Sequence, residues 1–170
     1  ANNLKLTSDY LEEYGITPVL EADIGGNVIV GNTTGKTEII GDIFAHDGGQ
    51  VDVILATAGS VLKGTTNIKL PEGVPDEDDS NEEGVVNLTL SNGAAWNVTD
   101  DSTITTLAGT GGVIKKSDGA PQNVTLNVYD YRNNNIHDGE GIYSGVALTN
   151  ESLRVTDVKL VVDTYETSIY

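Results

Sequence analysis

Short aliphatic runs, each closed by Gly, Asn or Asp, constrain this chain more than any other feature. The longest unbroken apolar run, at residues 53–56, has four residues, whereas a membrane-spanning helix needs about 20. Apolar and polar residues alternate at 86–90, a pattern typical of strands. Helix-capping signals occur at residues 9–14. The sequence therefore predicts an all-β chain with no membrane insertion of this segment.

The aliphatic runs recur at a nearly constant step. Equivalent runs contain Val28, Val51 and Val86. The interval from Val28 to Val51 indicates an internal repeat of about 23 residues, with one such strand in each unit. The interval from Val51 to Val86 matches this step once residues 71–82 are set aside as an insertion.

A second strand family advances with the first. Its members are Ile40, Leu62 and Trp96. They keep a step of about 22 residues once the same insertion is set aside. Two families that advance together predict the stacked coils of a β-solenoid. We expect six side chains to share one interior: Val51, Val53, Leu55, Val86, Leu88 and Leu90. The alternative fold is a β-sandwich, in which Val53 and Leu88 would lie on opposite faces of separate sheets.

The repeat also divides the chain into three parts. The solenoid body is expected at residues 25–128, and it contains an acidic loop insertion at 71–83. Residues 1–24 and 129–170 are expected to be caps or assembly segments, because a solenoid exposes strand edges at both ends. We expect Trp96 to pack on the core near an end of the body, because its bulk interrupts an aliphatic series.

Charge and composition exclude several classes of protein. The chain has 9 Lys and Arg against 26 Asp and Glu, a net charge of −17, so nucleic acid and anionic membranes are poor partners. It has no cysteine, which excludes disulfides, thiolate metal sites and a Cys nucleophile. The sequence begins at Ala1 without a signal region, so we expect a processed or excised chain.

Two segments carry a resemblance to a known family. Residues 86–104 read Val-Asn-Leu-Thr-Leu-Ser-Asn-Gly-Ala-Ala-Trp-Asn-Val-Thr-Asp-Asp-Ser-Thr-Ile, and residues 41–51 read Gly-Asp-Ile-Phe-Ala-His-Asp-Gly-Gly-Gln-Val. This order of strand, Asn-Gly, Trp, Val-Thr and acidic turn resembles the repeats of bacterial autotransporter passenger domains, the pertactin-like adhesins. The resemblance implies a single-chain right-handed parallel β-helix at the cell surface. The chain departs from the family in having few coils, and residues 129–170 have no counterpart.

The acidic insertion contains a candidate calcium site. Four oxygen-bearing residues alternate like calcium ligands: Asp76, Asp78, Ser80 and Glu82. The EF-hand spacing is not met, because Asn81 stands where Gly is needed and Asn87 where a bidentate Glu is needed. The other interpretation is a solvated loop that only collects counterions. The sequence indicates no other cofactor.

No residue set in the sequence predicts catalysis. His46 and His137 each precede Asp-Gly, a tripeptide that favours a turn over a charge-bearing pair in a site. The sequence has no Gly-x-Ser-x-Gly motif for a serine nucleophile. The two arginines, Arg132 and Arg154, lie outside the body, so a lyase-like site there would lack an arginine. We predict that the chain is not an enzyme.

These observations predict a non-enzymatic, secreted β-solenoid, a structural or adhesive part of an adhesin-like surface protein. Its partners would be ligands on a host or neighbouring cell surface, or other copies of the chain. One alternative is a self-assembling extracellular filament or sheath subunit that exchanges a terminal strand. A second alternative is a carbohydrate-active enzyme on a β-helix.

Overall fold

The computed structural model describes most of the chain as strands joined by turns. The described residues are 4–7, 18–32, 34–71, 82–128, 140–143, 146–148 and 153–162. None of them is helical, so the all-β class is confirmed for these ranges, whereas the helical turn predicted at 9–14 lies outside them. Accordingly, no helix in the described part of the chain has the length and apolarity to cross a membrane.

Eighteen strands lie within these ranges, and most have three to six residues. In chain order they are β1 (Leu4–Thr7), β2 (Pro18–Ala22), β3 (Asn27–Asn32), β4 (Thr37–Ile40), β5 (Asp42–Ala45), β6 (Gln50–Leu55), β7 (Val61–Gly64), β8 (Thr66–Asn67), β9 (Val85–Leu90), β10 (Ala95–Val98), β11 (Ser102–Ile104), β12 (Thr106–Ala108), β13 (Gly112–Lys116), β14 (Thr125–Val128), β15 (Glu140–Tyr143), β16 (Val146–Leu148), β17 (Leu153–Thr156) and β18 (Val158–Val162).

The strands form four sheets in which neighbours come from successive repeats of the chain. Their orders are β1-β4-β7-β10-β13-β17-β16, β3-β6-β9-β12, β2-β5-β8 and β11-β14-β18-β15. Among the described strands, pairing is parallel except where β15 joins β18 and β16 joins β17. Parallel neighbours require a long connection between them, and the chain supplies one by visiting the other sheets before it returns.

The register of the first strand family follows the predicted step. Val28 pairs with Val51, and Val51 pairs with Val86, so the repeat joins equivalent positions on both sides of the insertion. Leu62 pairs with Trp96 as predicted, but its partner on the other side is Ile39 and not Ile40. Ile39 is fully buried and Ile40 is 38% exposed, because a shift of one residue turns a side chain to the other face of the sheet.

The interior of the central sheet is aliphatic. Six inward side chains are at most 1% exposed, as predicted: Val51, Val53, Leu55, Val86, Leu88 and Leu90. Val53 and Leu88 are direct partners in one sheet, which is the opposite of what a β-sandwich predicts. Each inward side chain therefore packs against an equivalent one from the next repeat.

Trp96 lies in the same core. It is fully buried, and its Nε1 donates a hydrogen bond of 3.0 Å to the carbonyl oxygen of Gly64. The prediction of burial is confirmed. The prediction placed Trp96 near an end of the body at residues 25–128, where β10 is the third of four strands in this sheet. Because β17 and β16 continue the sheet beyond the body, β10 is the fourth of its seven strands. The indole fits at the centre because its N–H has a hydrogen-bond partner there.

The sheets extend on both sides of residues 25–128. At the start of the chain, β1 and β2 pair with β4 and β5. At the other end, β17 and β18 continue β13 and β14 in parallel, and four of their apolar side chains are buried: Leu153, Val155, Val158 and Leu160. The antiparallel strands β15 and β16 then occupy the last position of two sheets.

Candidate functional site

A cluster of titratable side chains lies where β2 and β5 end. Glu21 pairs with Phe44 in parallel register, and Ala22 pairs with Ala45. Asp23 follows β2 and His46 follows β5, so the two residues lie next to each other. Glu21, Asp23 and His46 each offer one metal-ligand atom, and these atoms all lie within 4.8 Å of one another. We call Glu21, Asp23, His46 and Asp47 the His46 cluster.

The His46 ring is held by carboxylates on both sides. Its Nδ1 lies 2.8 Å from Oδ2 of Asp47, and its Nε2 lies 2.9 Å from Oε1 of Glu21. The side chains of His46 and Asp47 are 3% and 2% exposed, whereas that of Glu21 is 51% exposed. One face of the cluster is therefore fixed in the protein interior, and the other is open to solvent.

The predicted His-Asp-Gly turn is present and positions Asp47. Asp47 and Gly48 have φ values of 52° and 79°, which a turn at Asp-Gly tolerates. Asp47 also contacts the end of the acidic insertion: its Oδ1 accepts a hydrogen bond of 3.0 Å from the Glu82 N–H. Its own N–H donates to the Glu82 carbonyl at 2.7 Å. The backbone of Glu82 thus fixes the buried Asp47 carboxylate in the position from which it contacts the His46 ring.

These contacts change the protonation of the ring. Burial opposes the positive charge and by itself lowers the pKa of His46. Hydrogen bonds to Asp47 and Glu21, together with their negative charges, outweigh burial, so the pKa of His46 lies above its ordinary value. The two carboxylates therefore favour the positively charged form of the His46 ring.

Sequence reasoning predicted the turn at His46 but missed the cluster. Glu21 and His46 are 25 residues apart, so no linear motif joins them. One signal was present, because Asp23 precedes His46 by the same interval that separates Val28 from Val51. Polar residues one repeat apart become neighbours as soon as parallel strands pair in register.

The predicted calcium ligands are only partly described. Asp76, Asp78 and Ser80 lie outside the described residues, and so does His137. Glu82 is exposed, and its backbone pairs with Asp47. The calcium site thus stays a prediction, while Glu82 joins the acidic insertion to the His46 cluster.

A second polar site is a cleft near the end of the chain. It has a volume of about 480 Å³ and is lined by Lys116, Gln122, Asn123, Val124, Thr125, Asp157 and Lys159. Asp157 is the one carboxylate among these described lining residues, whereas glycoside hydrolysis ordinarily uses a pair. The described lining residues therefore supply one carboxylate and not the pair.

Comparison with known proteins gives no match. No protein-family model matches this chain, and neither a curated protein nor a solved structure matches it. The functional proposals below therefore depend on the residues and contacts of this chain.

Proposed function

We propose that this chain is a single right-handed parallel β-helix that serves, without catalysis, as a stiff scaffold and contact surface in an extracellular adhesin-like protein. The observation that carries the proposal is the in-register parallel pairing of strands one repeat apart, as in Val28, Val51 and Val86. Right-handed connections between parallel strands are the strong rule in proteins. A repeating body of this kind has extended faces and contacts only between neighbouring coils.

Hydrogen bonds between turns support the scaffold role. Oδ1 of Asp42 accepts bonds of 3.0 Å from both the N–H and the hydroxyl of Thr65, 23 residues away. In the same way, the Thr37 N–H donates to Oγ of Ser60 at 2.9 Å, again across 23 residues. These bonds join the turns of successive repeats in addition to the strand ladders, so neighbouring coils cannot slide without losing them.

An outward polar row supports the role of contact surface. Asn87 Nδ2 donates to Oδ1 of Asp52 at 2.7 Å, and the Thr106 hydroxyl donates to Oδ1 of Asn87 at 2.6 Å. Gln50 also donates to Asp52. The row runs across β6, β9 and β12, and its side chains hold one another in place. A preorganised polar face loses little side-chain entropy when it binds a cell-surface ligand.

The size of the particles in solution tests the scaffold proposal. Light scattering after size-exclusion chromatography should give the mass of one chain over a wide concentration range. Electron microscopy of the same fractions should show no fibres. Long polymers would contradict an isolated scaffold segment and favour the filament alternative.

The filament alternative has its own supporting observation at the N-terminal edge, which we define as strands β1, β2 and β3. Each is the last strand of its sheet among the described residues, and Ile24 and Ile29 are exposed there. The segments offered for strand exchange, however, pair within the chain: β1 with β4, and β17 with β13. Substituting Ile29→Lys should abolish polymers if this edge assembles, since an edge lysine blocks strand addition.

Two assays on the same preparation test adhesion and catalysis independently. Fluorescently labelled chain should bind intact cells saturably and be displaced by unlabelled chain. Incubation with a panel of neutral and acidic polysaccharides should release no reducing or unsaturated ends beyond those seen with heat-denatured chain. Release of either product would overturn the proposal that the chain is not an enzyme.

A further inference from the structure

The two carboxylate contacts of the His46 ring can be satisfied by a proton or by a metal ion at Nε2. A neutral imidazole carries one N–H and one lone pair, yet both ring nitrogens of His46 lie within 2.9 Å of a carboxylate oxygen. Asp47 is buried and fixed by Glu82, so it takes the N–H at Nδ1. In the charged ring a second proton lies between Nε2 and Glu21, and in the neutral ring a metal ion can take the place of that proton.

We propose that Glu21, Asp23 and Nε2 of His46 bind one divalent transition metal ion, with Zn²⁺ the best fit, and that Asp47 is the positioning residue on Nδ1. This site is independent of the proposed scaffold function. It combines two carboxylates with a buried imidazole, and the imidazole is turned toward them by a carboxylate on its other nitrogen. That arrangement is the usual support of a zinc-bound histidine.

The donor set and its spacing select the metal. Calcium and magnesium prefer oxygen ligands only, whereas zinc accepts nitrogen and oxygen together. Ligands about 2.0 to 2.2 Å from Zn²⁺ at tetrahedral angles lie roughly 3.3 to 3.6 Å apart. The three donor atoms lie within 4.8 Å of one another, and Glu21 and Asp23 are exposed. Oε1 of Glu21, 2.9 Å from Nε2, would move slightly away from the ring, and Asp23 would rotate to complete the site. Both are surface side chains, and solvent would supply the fourth ligand.

The position of the site predicts its effect. Glu21 is in β2 of the N-terminal edge and Asp23 directly follows it, while His46 and Asp47 follow β5. A bound ion would cross-link the edge strand β2 to the next strand of its sheet. Because the ion binds the folded chain only, a hundredfold excess over its Kd should raise the melting temperature by about 5 to 10 °C.

The test uses the full chain, freed of metal with EDTA and titrated with Zn²⁺ by calorimetry in about 150 mM NaCl with millimolar Mg²⁺. We expect one Zn²⁺ per chain and no competition from Mg²⁺. E21Q and D23N should each weaken binding at least about tenfold, and D47N should weaken it about 10- to 100-fold. The matched control is H137Q, which changes the other His-Asp-Gly tripeptide and should leave the Kd within twofold.

H46Q removes the central ligand and should abolish stoichiometric binding. Because His46 is buried, E21Q and D23N keep the test decisive if H46Q does not fold. Imidazole ¹⁵N spectra of the wild-type chain should show a Zn²⁺-dependent change at Nε2 of His46 and not at Nδ1. Unchanged affinity in both E21Q and D23N, or equal binding of Ca²⁺ and Zn²⁺, would overturn the site and assign the metal to the acidic surface in general.

Discussion

The central strands β6 and β9 and the N-terminal edge hold their shape by different interactions. In the centre, each inward side chain has an equivalent neighbour on both sides, and Val53 and Leu88 are almost completely buried. At the edge, Val28 is half-buried and Ile29 is 68% exposed. Ion pairs join the edge strands to the next strands instead: Lys5 with Glu38 at 3.9 Å, and Glu21 with His46 at 2.9 Å.

This difference follows from the number of strands that pair with each strand. A strand between two others buries its aliphatic face completely, and the hydrophobic effect stabilises it by about 25 cal/mol for each Å² removed from water. An edge strand buries less, so charged contacts with the next strand carry more of its stability. Such contacts respond to pH and metal ions, whereas aliphatic burial does not. We therefore expect the edge to be the part of the molecule whose stability can be modulated.

The largest loss of stability is expected from a cavity in the central strands. Leu88→Ala should lower the free energy of unfolding by about 2 to 5 kcal/mol, since the side chain is buried between repeats. Val28→Ala at the edge removes one carbon fewer from a half-buried side chain and should cost no more than about 1 kcal/mol. Urea denaturation followed by Trp96 fluorescence measures both. Similar losses in the two variants would show that centre and edge are equally packed.

A smaller effect is expected where backbones approach each other. A Cβ on Gly64 would overlap the carbonyl oxygen of Gly41 in the neighbouring repeat, so Gly64→Ala should cost about 1 to 3 kcal/mol. Gly31→Ala is the control, because its Cβ would meet only the Ile54 side chain, at 3.3 Å. Thermal melts compare the two. A Gly64→Ala chain as stable as Gly31→Ala would contradict the close approach.

The third prediction concerns pH in the metal-free chain. The pKa of His46 is raised by Asp47 and Glu21 in the folded state, with Asp23 also nearby. A raised pKa adds stability that is fully present below about pH 6.5 and is lost as pH rises through the folded value. In EDTA, the stability advantage of wild type over H46Q should therefore shrink from pH 6 to pH 8. An advantage that grows over this interval would reverse the sign and contradict the charge arrangement.

The smallest effect is expected from the surface pair of Lys36 and Glu38 at the start of β4, the strand next to β1. The hydrogen bond and positive charge of Lys36 lower the pKa of Glu38, so any stability from this carboxylate is present at neutral pH and lost on acidification. Both side chains are solvent-accessible, and such pairs contribute little. Glu38→Gln should leave the melting temperature at pH 7 within the scatter of replicate melts. A clear drop would mean that surface charges stabilise the edge as strongly as the His46 cluster.

Much of the strand architecture could be predicted from the sequence. Alternation at 86–90 predicted which side chains face inward, because strand side chains point to opposite faces in turn. The spacing of Val28, Val51 and Val86 predicted which strands are equivalent, and their pairing follows it. The prediction failed by one residue at Ile40, where two adjacent isoleucines leave the face ambiguous without a partner strand.

What the sequence alone determined is therefore local: the all-β class, the turns and the repeat step. Only the tertiary structure decided that Trp96 lies in the middle of its sheet and that Glu21 reaches His46 across 25 residues. The reason is physical. Strand alternation and turns depend on neighbouring residues, whereas the His46 cluster exists only after two parallel strands pair in one register. That register is set by the burial of all the inward side chains together.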